Sequence, residues 1–186
     1  MVDKKDIIAA AAEALGDGEA ASAEKLAGEA SGDGEGGSGS RSGLFLVEVR
    51  MAGDEVEVFI DSDARDADGR MGRVSVEDCI SLTRAIESRF DRDADDFSLT
   101  VSSAGIGQPL RHPRQYKKLV GQSVEVVTTG GARIVGTLEA AGDGAITLSY
   151  PEKQKTEGAR RPVFVTVTKA FPLTEIKTTK EYIDFK

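Results

Sequence analysis

A chain of 186 residues, 39% hydrophobic and 30% charged, has the length for one large domain or two small ones and the composition of an ordinary globular protein. Its one cysteine and one histidine exclude an internal disulfide and a zinc site built on paired cysteines, so no metal and no cofactor is expected. The net charge of −8 divides unevenly: residues 1–108 hold 11 Lys and Arg against 24 Asp and Glu, whereas residues 109–186 hold 13 against 8. One half therefore repels phosphate and attracts basic proteins, while the other can approach phosphate; acid that only solvates the surface is an equally good reading of the first half.

The opening M-V-D-K-K-D-I-I lacks the apolar core of a signal peptide, and no apolar run approaches the roughly eighteen residues of a spanning helix, so a cytoplasmic protein without membrane contact is expected. Residues 3–30 place Ile7, Ile8, Ala11, Leu15 and Leu26 among many alanines, a helix broken near Gly16-Asp17-Gly18. The run S-G-D-G-E-G-G-S-G-S-R-S-G at 31–43 is a flexible Gly/Ser loop. Residues 44–51 and 56–60 form a hairpin around Ala52-Gly53-Asp54-Glu55.

The acidic run D-S-D-A-R-D-A-D-G at 61–69 invites a calcium reading, but it puts Arg65 fifth and Asp66 sixth, where an EF-hand loop needs an oxygen ligand and a glycine. It reads as a solvated loop. Ser75 then caps a helix, with Asp78 three residues on, and Val76, Cys79, Ile80, Thr83, Ile86 and Phe90 share its predicted buried face. On that stripe Cys79 is a core side chain rather than a nucleophile. After D-R-D-A-D-D at 91–96, Phe97, Leu99 and Val101 mark a third strand. The fold class is α+β, with residues 1–107 as an acidic α/β domain, two helices over one face of a three-stranded sheet.

The stretch 99–121, L-T-V-S-S-A-G-I-G-Q-P-L-R-H-P-R-Q-Y-K-K-L-V-G, is the seam. Ser102, Ser103, Gly105, Gly107 and Pro109 make an interdomain hinge of small and turn-forming residues. Pro113 opens a short helix ending at Gly121, and Arg111, His112, Arg114, Lys117 and Lys118 crowd into it as a candidate phosphate-binding cluster. Short strands follow at 123–127, 133–140, 145–150, 162–168, 171–177 and 182–185. With no long helix among them, residues 108–186 read as a small basic β-barrel that closes its own edges, bent at Gly136.

V-S-S-A-G-I-G-Q-P-L-R followed by R-Q-Y-K-K-L-V-G-Q-S-V-E-V resembles the domain junction of the RimP ribosome maturation factors, and F-P-L-T-E-I-K-T-T-K-E-Y-I-D-F resembles their last strands. The resemblance covers residues 44–186. It implies a KH-like N-terminal domain, an Sm-like C-terminal barrel, a non-catalytic role in late assembly of the small (30S) ribosomal subunit, and the small-subunit protein of the decoding site and rRNA as partners. Where many members read S-S-P-G-L-D-R-P-L, this chain has Gly107 and Gln108 in place of an acid and an arginine.

A second reading is a general RNA-binding module whose basic barrel grips single strands. It wants stacking platforms, and among Tyr116, Tyr150, Phe164, Phe171, Tyr182 and Phe185 several alternate in phase with the core, so stacking is the weaker expectation. Enzymatic activity is not expected: Gly105-Ile106-Gly107 lacks the third glycine of a dinucleotide motif, no G-K-[ST] follows any glycine cluster, and His112 between Arg111 and Arg114 suits hydrogen bonding or phosphate contact better than base catalysis. Asp61, Asp63, Asp66, Asp68, Asp91, Asp93, Asp95 and Asp96 are expected to steer a basic ribosomal protein toward the acidic half. A monomer is expected.

Overall fold

The computed structural model describes residues 2–16, 43–65, 72–90, 95–105, 107–142, 144–154 and 163–183. The Gly/Ser loop at 31–42, Asp66, Asp68, Asp91, Asp93 and the charged stretch 155–162 lie outside the described residues. The chain divides into two compact units, Met1–Gly105 and Ile106–Lys186.

In the first unit, Asp3 accepts the Lys5 N–H at 3.2 Å and starts α1 (Lys4–Leu15), which ends at Gly16 in the left-handed conformation, φ 67°. β1 (Leu44–Ala52) and β2 (Glu55–Ser62) are antiparallel about the two-residue turn Gly53-Asp54, where Gly53 takes φ 64°. The capping box of Ser75 and Asp78 launches α2 (Val76–Glu87), and the chain returns in β3 (Ser98–Ser103), parallel to β2. The order is β1-β2-β3. A two-residue link can only join antiparallel neighbours, whereas the parallel pair needs the crossover that α2 supplies.

Alternation along β2 turns Val56, Val58 and Ile60 to one face, and a bulge between Leu46 and Glu48 restores the phase of β1 so that Leu44, Leu46 and Val49 join them. Ile7, Ala10, Ala11 and Leu15 of α1 and Leu82 and Ile86 of α2 complete this core. The expected α2 stripe needs correction. Val76 is 70% exposed and Ile80 46% exposed, while Leu82 is buried. The inward face runs Cys79, Leu82, Ile86, Phe90, at spacings of three, four and four, and Phe90 meets Phe97 edge to face with centroids 5.5 Å apart. Cys79 packs at the margin of this core, and burial, with the nearby Asp78 charge, pushes its thiol pKa up.

In the second unit, α3 (Pro113–Lys118) precedes β4 (Ser123–Thr128), β5 (Arg133–Gly142), β6 (Ala145–Gln154), β7 (Val163–Pro172), a one-turn 3-10 helix (Leu173–Glu175) and β8 (Ile176–Glu181). All pairings are antiparallel, in the order β7-β6-β5-β4-β8. Leu119, Val124, Val126, Leu138, Ile146, Leu148 and Phe171 form the core.

Two expectations fail here. The predicted strand at 171–177 is interrupted by the 3-10 turn after Pro172, between β7 and β8, because proline fixes its own φ at −60° and has no N–H for a ladder; of the predicted strand at 182–185, Tyr182 and Ile183 lie past the end of β8, and 184–185 lie outside the described residues. The sheet is also open rather than a closed barrel: among the described residues β7 pairs only with β6, and β8 pairs with β4 and takes one bridge from Pro109.

A second departure from a regular barrel lies between β5 and β6. Their ladder runs from Gly142 opposite Ala145 to Thr137 opposite Ser149 and stops. The next pairs would set Gly136 against Tyr150 and Val135 against Pro151, and proline cannot donate to β5. At the parting the backbones are close: a Cβ on Gly136 would sit 2.6 Å from the Ser149 carbonyl oxygen. Beyond it β6 stays with β7 for five further pairs, to Gln154 opposite Val163, as a two-stranded arm.

Candidate functional site

The predicted basic cluster surrounds α3, whose start is held by side chains. His112 Nδ1 accepts the Arg114 N–H at 3.2 Å, and Gln115 Oε1 accepts the N–H groups of Arg111 at 2.8 Å and His112 at 3.1 Å. Pro113 occupies the first turn, where no N–H is needed. Both capping side chains are buried, His112 at 7% exposure. The helix is tied to β5 through Gly121, whose N–H reaches the Leu138 carbonyl at 2.7 Å, and the segment before it to β8 through the Leu110 N–H and the Thr179 carbonyl at 2.8 Å. Gly121 takes φ 86°, the left-handed value that ends the helical turn.

Helical spacing sends Tyr116 and Leu119 toward the core and Arg114, Lys117 and Lys118 to the other side. Arg111 and Lys117 are exposed, Arg114 and Lys118 half-buried. Like charges at Arg114 and Lys118, four residues apart, oppose the helix by a few tenths of a kcal/mol, whereas a side-chain N-cap contributes about 1 kcal/mol. The cap therefore outweighs the repulsion and holds four cations on one short, fixed segment. His112 is a helix cap at the base of that surface rather than part of its exposed face. Burial pushes the Tyr116 phenol pKa up, against the smaller opposing effects of the Thr179 hydroxyl and the Arg111 charge.

Of the predicted hinge residues, Ser102 and Ser103 are strand, opposite Phe59 and Ile60, and Pro109 bridges to Lys180. Gly107 alone takes a positive φ, 81°, among the described glycines between Ser103 and Pro109. Among the described residues the predicted acids Asp61, Asp63, Asp95 and Asp96 do not converge. Because β2 and β3 run parallel with Glu55 opposite Ser98, Asp95 and Asp96 lie at the start of β2, beside Asp54 and Glu55, and Asp61 and Asp63 at its far end. Asp61 accepts the Ser62 N–H at 2.7 Å.

Among the described residues no three His, Cys, Asp or Glu side chains assemble as a metal group, and no helix is long and apolar enough to cross a membrane. The sequence names Phe164 among the stacking platforms but does not foretell its exposure. Phe164 is 62% exposed on β7, with Lys153 Nζ 5.4 Å from its ring centroid. Pro151 and Gly136, which split β5 from β6, were the signal for it.

No family model matches the chain. It is 34% identical over 143 residues to the ribosome maturation factor RimP of Christiangramia forsetii, an alignment spanning 76% of this chain and 88% of that protein. The chain belongs to the RimP family of ribosome maturation factors. A second RimP, from Porphyromonas gingivalis, is 36% identical over 118 residues, 63% of this chain and 72% of the relative.

Proposed function

We propose that this RimP family protein is a non-catalytic, cytoplasmic assembly factor for the small (30S) ribosomal subunit. The observation that carries this is the capped α3 segment, where Arg111, Arg114, Lys117 and Lys118 are displayed by buried His112 and Gln115. A fixed array of four cations meets phosphates without ordering four long side chains from a mobile loop, and such contacts position a protein on RNA without reading bases. The acidic first unit takes the other kind of partner, a basic ribosomal protein, which the family resemblance points to at the decoding site. Because the described acids sit at both ends of β2, that attraction acts over the whole unit rather than at one patch. The connection around Gly107 serves as the interdomain hinge.

The experiment is co-sedimentation of the protein with free small subunits, large subunits and mature ribosomes. Retention by the small subunit above the other two is the expected result. Equal retention by all three particles would reduce the protein to a general RNA-binding module.

A further inference from the structure

The outer face of the five-stranded sheet holds an exposed aromatic ring between two cations. Antiparallel register puts Lys153 opposite Phe164 and Pro151 opposite Thr166 on one face of the β6–β7 arm. On β5 the same face carries Thr137, which stands opposite Ser149, and by alternation Val135 and Arg133. Where the two strands part they leave an open cleft of about 350 Å³, lined by Val135, Tyr150, Pro151 and Phe164 and flanked by Arg133 and Lys153. Arg133 gives its Nε–H and one Nη2–H to Glu125 Oε2 and keeps its other donors. Glu152, which pairs with Val165, also lines the cleft, so its rim carries one acid beside the two cations.

We infer that this cleft is a nucleotide site for single-stranded RNA, in which a base stacks on Phe164 and the flanking Arg133 and Lys153 hold the phosphates on either side. The inference rests on the reading above that the C-terminal unit meets rRNA, and adds to it a second contact of a different kind. Three observations favour a nucleotide. The ring is exposed on a strand whose backbone is fixed by β6 pairing, so a platform exists before binding. Both flanking side chains are cationic, in a half of the chain with 13 Lys and Arg against 8 Asp and Glu, and although Arg133 is paired with Glu125 and Glu152 also lines the cleft, a phosphodiester meets the cationic flanks better than an uncharged apolar peptide does. Lys153 already rests over the ring at 5.4 Å; a stacked base binds an aromatic face more strongly than an exposed ammonium does, so an arriving base displaces it toward the adjacent phosphate, where it is used again.

The chain contains no tryptophan, so Phe164→Trp in the full-length protein places a single reporter on the platform. Titration with single-stranded oligoadenylate and oligouridylate at low salt should quench its fluorescence, more tightly for adenylate because purines stack better. Phe164→Leu keeps an apolar side chain without the ring, and should weaken binding of a labelled oligoadenylate by about fivefold or more at an unchanged melting temperature. Lys153→Gln and Arg133→Gln should lower the salt dependence of that binding. Absence of quenching by either oligonucleotide, or full binding by Phe164→Leu, overturns the proposal. Quenching by an acidic peptide and not by RNA also overturns it, and makes the cleft a protein site. Reversing Arg114, Lys117 and Lys118 separates the two readings: co-sedimentation lost with quenching retained condemns neither, co-sedimentation retained condemns the α3 assignment, and quenching absent with co-sedimentation sensitive to the reversal condemns the cleft alone.

Discussion

His112 and Gln115 cap each other across the first turn of α3: the imidazole takes the Arg114 N–H at 3.2 Å while the amide oxygen takes the His112 N–H at 3.1 Å. Removing His112 leaves the part-buried Arg114 N–H without that acceptor, and removing Gln115 leaves the buried His112 N–H and the part-buried Arg111 N–H without theirs. His112→Ala should lower unfolding free energy by about 1 kcal/mol, with His112→Asn recovering most of it. Gln115→Ala orphans two N–H groups and should cost about 1–3 kcal/mol. Urea midpoints compare the three, and a Gln115→Ala protein as stable as the parent would show that the cap is idle.

The cations above that cap should behave differently. Reversing Arg114, Lys117 and Lys118 to Glu leaves the core and the cap bonds in place, so stability should stay within about 0.5 kcal/mol. Small-subunit binding should fall, and the slope of log affinity against log salt should shrink by about 2–3 if each contacts one phosphate. Binding assays across a salt series decide it; an unchanged slope means these side chains do not touch the backbone of RNA.

Tyr116 should mark the alkaline limit of the second unit. Its phenol pKa is raised in the folded chain, chiefly by burial. At neutral pH both folded and unfolded states keep the proton, so no pH dependence arises there. As pH climbs past about 10 the unfolded state deprotonates first, and stability is lost from that point up to the folded value. Near-ultraviolet absorbance should therefore show one of the three tyrosines titrating late, and Tyr116→Phe should remove that phase and the matching loss of stability. A single common titration would contradict the burial of the hydroxyl.

The two faces of α2 offer a direct contrast. Leu82→Ala empties a buried position and should cost about 2–5 kcal/mol, whereas Ile80→Ala, on the exposed side, should stay within about 0.5 kcal/mol. Thermal or urea unfolding of the pair reports it, and equal losses would put both residues in the core.

That contrast also marks what could be read from residues alone. Local chemistry was legible: Gly16 ends α1, Gly53 turns the hairpin, Ser75 and Asp78 begin α2, and Pro113 opens α3, each because the required conformation or cap is satisfied within a few residues. The inward face of α2 was not, because Leu82 and Ile80 are chosen by what α1 and the sheet leave uncovered. The parting of β5 from β6 was hidden for a similar reason: Pro151 disrupts a ladder only at the register that brings it opposite Val135, and register belongs to pairing rather than to either strand. The basic cluster was visible as a run of charge, while the burial of His112 beneath it needed Gln115 in space.

The placement of β8 beside β4 has a consequence for the order in which the protein is made. Among the described residues every other strand-to-strand ladder in the second unit joins chain neighbours, so β4, β5, β6 and β7 can zip together as successive hairpins. The second edge of β4 waits for β8, with all three intervening strands between them, and the Leu110 bond to Thr179 waits for the same strand. Closing that long loop is the slow, entropically unfavourable step. During translation the three-stranded sheet has all of its strands once Ser103 has been added, whereas the segment carrying Arg111 acquires its anchor only when the ribosome has added the final strand of the unit.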